Sequence, residues 1–124
     1  MALSNILWVF LGGGIGSVLR FVVTKTFSQI FANLYWGTLS VNLVGSLLIG
    51  LLIGFEIKSI LHQPILLLLA TGFCGGFTTF SAFSLESLNL IKSGQYLYAT
   101  SYILISIILG IIAVGLGFYL ARQI

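Results

Sequence analysis

Charge is scarce in this chain. Five Lys and Arg, two acidic residues and one His are spread over 124 residues, so charged side chains make up 6%. Soluble domains carry about 25%, which excludes a free-standing cytosolic enzyme. Cysteine is rarer still: Cys74 stands alone, so no disulfide framework can form within the chain. The five cations are scattered singly, leaving no basic run to hold nucleic acid. His62 lies beside Pro64 with no second metal-ligating residue nearby, which argues against a metal site there. No catalytic His or Asp accompanies the serines, so an intramembrane hydrolase is disfavoured as well.

What fills the chain is apolar. Residues of the AVILMFWYC set reach 59% and mean hydropathy is +1.20, the signature of an integral membrane protein. A span needs roughly 20 mostly apolar residues, and four stretches qualify: about 3–24, 37–57, 64–91 and 97–121. Polar punctuation separates them at Lys25 to Asn33, Lys58 to Gln63 and Lys92 to Gln95. Pro64 suits the first turn of the third helix, where a missing N–H costs nothing. Trp8, Tyr35, Trp36, Tyr96, Tyr98 and Tyr119 fall near predicted helix ends, where amphipathic rings favour the headgroup zone. No Lys or Arg precedes the first apolar run, so a cleaved signal peptide is not expected. The expected organisation is a single all-α transmembrane domain over residues 1–124, without internal repeat or low-complexity tail.

With four spans, one side carries Lys58 and Arg122 and the other Lys25 and Lys92. Such a balance gives the positive-inside rule little to act on. Two outcomes stay open: insertion in both orientations with an antiparallel homodimer, or one weakly preferred orientation aided by Arg20. Four short helices scarcely enclose a path alone, so some oligomer is expected either way.

Ionisable groups within spans are costly and usually face protein or a water-filled cavity. Arg20, late in the first span, and Glu86, late in the third, could lie at similar depth and interact; the simpler alternative is that Arg20 snorkels to the headgroups. Glu56, beside Lys58, reads as an interfacial charge. The segment Gly72-Phe-Cys-Gly-Gly-Phe-Thr-Thr-Phe-Ser-Ala-Phe-Ser84 carries the most information. Its glycines and threonines weaken a helix near mid-span, and a break would free backbone groups, tolerated only inside protein or against a cavity. Gly72 and Gly76 also form a small-xxx-small pair suited to close packing. That packing reading is preferred for Gly12/Gly16 and Gly50/Gly54.

Phe77, Phe80 and Phe83 recur every three residues on roughly one helical face, with Ser81 and Ser84 directly after the later two. Such aromatic stripes are commonly packing. Ring edges are electropositive, however, so edge-on phenylalanines with hydroxyls can accommodate a desolvated anion without a fixed positive charge. Asn42 in the second span adds an amide donor. A charged site would hold an ion too long for conduction.

Three stretches carry a family resemblance: Gly12-Gly-Gly-Ile-Gly-Ser-Val-Leu-Arg20-Phe, Gly37-Thr-Leu-Ser-Val-Asn42-Leu-Val-Gly-Ser, and the Gly72 segment. With them the chain resembles the CrcB/Fluc fluoride channels over essentially its whole length. The resemblance implies an antiparallel, dual-topology homodimer with two fluoride pathways, in which Phe80 and Phe83 are the pore phenylalanines. It implies that Asn42 is a pore asparagine, Ser81 a pore-lining hydroxyl and Tyr102 a pore-facing tyrosine. Glu86 would be the carboxylate at the pore end and Arg20 the vestibule arginine. It further implies a helix break in the third span and a structural sodium ion (Na+) at the dimer dyad, held by the backbone carbonyls of Gly75 and Thr78. The chain departs from the commoner family pattern at Ser17, Phe21 and Ala82.

The function so implied is a fluoride channel of the bacterial inner membrane that lowers cytoplasmic fluoride by passive, voltage-driven export. The strongest rival is a proton-coupled exporter of the small multidrug resistance type, which shares length, span number and dual topology. It needs a glutamate embedded in the first helix, and this chain has none there. A purely structural subunit would leave the aromatic-hydroxyl face unexplained.

Overall fold

The computed structural model describes residues 2–31 and 35–124. Its long elements are helical, and four segments are apolar enough to cross a membrane: Leu3–Ile30, Trp36–Ile57, Gln63–Lys92 and Tyr96–Gln123. The first, second and last are continuous helices, α1 (Leu3–Ile30), α2 (Trp36–Ile57) and α6 (Tyr96–Gln123). The third is composite. A helical turn α3 (Gln63–Leu66), with Pro64 in its first turn, leads into a π-helical stretch Leu67–Cys74. A short turn α4 (Gly75–Phe77) follows, then extended Thr78 and Thr79, then helix α5 (Phe80–Lys92).

α1 runs six residues further than the 3–24 expected, so Lys25 to Ile30 are helical rather than a loop. The reason is local. Thr24, Thr26 and Ser28 turn their hydroxyls back onto the carbonyls of Arg20, Val22 and Lys25, at 2.9, 2.9 and 2.8 Å. Polar side chains satisfied this way do not compete with the helix for backbone partners. Asn33, at the far end of the expected loop, lies outside the described residues. The other boundaries lie within two residues of those expected. Between α5 and α6 the chain reverses through Gly94, whose φ of 76° favours a residue without Cβ.

Glycines hold the bundle together as two backbone-to-backbone pairs. α1 lies along the first half of the third span: a Cβ on Gly12 or Gly16 would collide with the Leu68 or Phe73 carbonyl. Reciprocally, a Cβ on Gly76 would strike the Gly13 carbonyl, and one on Gly72 would come within 2.8 Å of that of Val9. α2 pairs with α6 in the same manner, Gly50 lying against the Val114 carbonyl and Gly117 against that of Leu47. In lipid there is no hydrophobic drive to associate helices, so such close approach supplies the van der Waals contact that does so. Gly72 and Gly76 thus serve the packing role that the sequence offered as one of two readings. A small core of Leu39, Leu90, Ala99 and Tyr102 closes the end of the bundle where α2 and α6 begin.

Candidate functional site

The site is organised by Thr78 and Thr79, whose backbone is extended (φ/ψ −82/159° and −150/116°) between two helical segments. Extended residues there strand amides and carbonyls, each costing roughly several kcal/mol if left bare in lipid. Most find partners within the chain. Asn42 accepts from the Thr79 amide through Oδ1 at 2.8 Å and donates Nδ2 to the Thr79 carbonyl at 3.2 Å. The Thr79 hydroxyl accepts from the Ala82 amide at 3.2 Å as the N-cap of α5. Thr78 sends its amide and its hydroxyl to the Cys74 carbonyl, at 3.0 and 2.8 Å. Arg20 reaches from α1 and donates Nε to the Gly76 carbonyl at 2.9 Å.

From α5 an aromatic ladder leads away. Phe80 and Phe83 have centroids 5.8 Å apart, Phe83 and Tyr102 5.5 Å, and Tyr102 and Tyr35 5.8 Å, all tilted by 43–48°. Tilted rings present edges to their neighbours, the favoured aromatic geometry. Phe80 is 80% exposed in the single chain, so its ring stands free on one side. Phe77 does not share this ladder. It is buried and stacked on Phe73 at 5.5 Å, because the extended pair breaks the three-residue periodicity that placed it with Phe80 and Phe83.

Beside the ladder Glu86 takes hydrogen bonds on both oxygens: Thr38 donates to Oε1 at 2.6 Å and Tyr102 to Oε2 at 2.7 Å. Both lengths are those of well-formed hydroxyl hydrogen bonds. Arg20 and Glu86 therefore engage different partners. Ser81 hydrogen-bonds the Thr79 hydroxyl at 3.2 Å and is exposed next to Phe80. An open groove of about 400 Å³ runs along the same face, lined among others by Asn42, Ser46, Cys74, Gly75, Thr78 and Phe80.

Among the described residues no three His, Cys, Asp or Glu side chains gather to hold a metal. Backbone oxygen is what this face offers a cation. The Thr79 amide, which an unbroken helix would give to the Gly75 carbonyl, is diverted to Asn42. No backbone donor among the described residues reaches the Thr78 carbonyl. Gly75 is exposed, with nothing within 4 Å of where its Cβ would be. Neutral oxygens of this kind suit a hard cation, and a single chain supplies two of the several such an ion requires.

Residues 7–118 match the family described as CrcB-like protein, Camphor Resistance (CrcB). The chain belongs to the CrcB-like family. Three relatives named "Fluoride-specific ion channel FluC" align along nearly their whole length. The one from Phocaeicola vulgatus is 45% identical, over 97% of this chain and 100% of its own. That from Bacteroides fragilis is 44% identical over 98% of both chains. That from Gloeothece citriformis is 46% identical over 96% of this chain and 98% of its own.

Within this CrcB-like chain, Asn42, Phe80, Ser81, Phe83, Glu86 and Tyr102 converge on one face, Gly75 and Thr78 flank its groove, and Arg20 sits behind the extended pair. Sequence reasoning passed over Thr38, Ser46 and Ser106. A signal was present for each. Thr38, Asn42 and Ser46 recur every four residues as a polar stripe along α2, whose other polar residues are Ser40 and Glu56. Ser106 follows Tyr102 by four on α6, and its hydroxyl is buried with no partner among the described residues.

Proposed function

We propose that this CrcB-like chain is a fluoride-selective channel, working as an antiparallel homodimer in the bacterial inner membrane. The observation that carries the reading is the line of ring edges from Phe80 through Phe83 to Tyr102, with neutral donors of Asn42 and Ser81 beside it. Along that line the one carboxylate, Glu86, has both oxygens engaged by hydroxyls. A small anion shed of water meets weak, replaceable donors, which permits entry without trapping. Larger anions such as chloride fit a narrow path badly. The relatives named as fluoride-specific channels identify the ion.

Export needs no energy source beyond the membrane potential. Fluoride is the base of a weak acid, whose neutral form crosses lipid and ionises inside. An interior-negative potential of about 100 mV is worth roughly 2.3 kcal/mol per charge, an equilibrium factor of about 50. An anion-selective leak then suffices.

The polar groove supports the dimer, since Asn42, Ser46 and the exposed carbonyl face at Gly75 and Thr78 would otherwise meet hydrocarbon. A second copy covers them best. Balanced cations, Lys58 and Arg122 against Lys25 and Lys92, suit opposite insertion of the two copies. Across a two-fold axis the Gly75 and Thr78 carbonyls double to four, a set that would hold a structural sodium ion. The ion would supply positive charge at the interruption of the third span, which this reading places near mid-membrane.

The test is passive fluoride efflux from liposomes containing the purified protein, with a potassium diffusion potential and chloride as control. Voltage-driven fluoride release without chloride release and without a pH gradient is expected. Release that required a proton gradient would establish a coupled exporter instead, and no release from folded protein would sink the channel reading.

A further inference from the structure

An unbroken helix would pair the Gly76 carbonyl with the amide of Phe80. The extended Thr78 and Thr79 carry that amide away, and Arg20 Nε stands in its place at 2.9 Å, with the Ser17 hydroxyl at 3.5 Å on the same oxygen. Ser17 and Arg20 are three residues apart on α1 and so share a face. That face is pinned to the third span one turn earlier, where the site of a Gly16 Cβ lies 2.9 Å from the Phe77 amide. The contact is thus a fixed reach from a fixed backbone. Glu86 does not draw the guanidinium off, because its oxygens take Thr38 and Tyr102. A cation at the C-terminal end of a helical segment also meets the favourable end of its dipole.

We infer that Arg20, seconded by Ser17, is a positioning residue for permeation. It substitutes for the missing amide and fixes the end of α4, and through it the direction in which Thr79 and Phe80 leave. On this view its charge is not there chiefly to draw anions in. The proposal rests on the channel reading and names what holds that channel's geometry. Lysine cannot replace it, for its side chain puts a methylene where arginine puts Nε.

The experiment pairs saturation flux with amide hydrogen exchange on the full-length protein in liposomes, for wild type, Arg20→Lys, Arg20→Gln and Ser17→Ala. Loss of a hydrogen bond to a charged group is worth about a tenfold effect or more. Maximal fluoride flux is therefore expected to fall about tenfold or more in both Arg20 variants, with the half-saturating fluoride concentration unchanged. Exchange at the Thr79 and Ala82 amides rises in parallel. Ser17→Ala, which leaves the guanidinium in place, gives a smaller rise in the same amides and keeps the test decisive if the Arg20 variants fold poorly. A charge that merely attracts would leave Arg20→Lys at wild-type flux. It would raise the half-saturating concentration in Arg20→Gln and leave exchange untouched, and that result overturns the proposal. Faster exchange in the variants of a wild type that passes no fluoride would retain the structural clamp and refute the channel reading instead.

Discussion

Asn42 behaves toward Thr79 as a neighbouring backbone would. Its side-chain amide accepts from the Thr79 amide and donates to the Thr79 carbonyl, at 2.8 and 3.2 Å, so one side chain satisfies both polar groups of an extended residue. The pairing explains how Thr79 persists in an extended conformation inside a span without water. It also places an amide and a threonine hydroxyl at the foot of the aromatic ladder.

Replacing Asn42 with alanine strands both Thr79 groups, at about 1–3 kcal/mol for each. The expected outcome is lower thermal stability in detergent together with loss of fluoride flux. Asn42→Asp keeps an acceptor for the amide but offers the carbonyl no donor, and should fall between. A variant as stable as wild type would show that the pair is not needed to hold the extended segment.

Phe80→Ile and Phe83→Ile keep apolar bulk and remove the ring edges. Aromatic-edge interactions are worth about 0.5–1.5 kcal/mol, so flux should drop by about two- to tenfold while the fold survives. Phe80 is largely exposed in the single chain, which makes its variant the cleaner of the two. Unchanged efflux in both would remove the rings from the pathway.

Thr38, Glu86 and Tyr102 should act as a unit. Tyr102→Phe and Thr38→Val each remove one donor to Glu86, at a cost of about 0.5–1.5 kcal/mol for a hydrogen bond. Glu86→Gln should lessen the further effect of either, a coupling that a double-mutant cycle in liposome flux would read. Strictly additive losses would mean that the three contribute separately.

Two glycine substitutions separate packing from propensity. Gly50→Ala drives a methyl into the Val114 carbonyl and Gly16→Ala into that of Phe73, so both should destabilise the bundle by about 1–3 kcal/mol or more. Gly14 and Gly115 have open space where a Cβ would go, and alanine there should be neutral or mildly stabilising. Thermal unfolding of the four variants side by side checks the contrast.

Replacing sodium by a large organic cation should lower stability and dimer lifetime if the Gly75 and Thr78 carbonyls hold the ion. Subunit exchange between differently labelled copies measures it. Equal lifetimes with and without sodium would remove the ion from the interface.

Much of this was open to a reader of the residues alone. Composition and run length established four spans, because a hydrocarbon solvent demands about 20 apolar residues in a row and tolerates little else. The glycine-threonine run around Gly75 and Thr78 marked where the third helix is weakest, since helix propensity is a local property. The first helix outran its expected end because the hydroxyls of Thr26 and Ser28, polar residues beyond residue 24, find their partners within the helix.

Only the tertiary structure decided which polar group meets which. Thr38 and Glu86 lie 48 residues apart, Arg20 and Gly76 56. Whether they touch depends on how each helix is rotated and how closely the backbones approach. The glycine contacts set both, Gly16 against Phe73 on one side and Gly50 against Val114 on the other. Local periodicity placed Phe77 with Phe80 and Phe83, and two extended threonines undid it. Hydrogen-bond choice across helices is a property of that assembled geometry, which no local pattern of residues encodes.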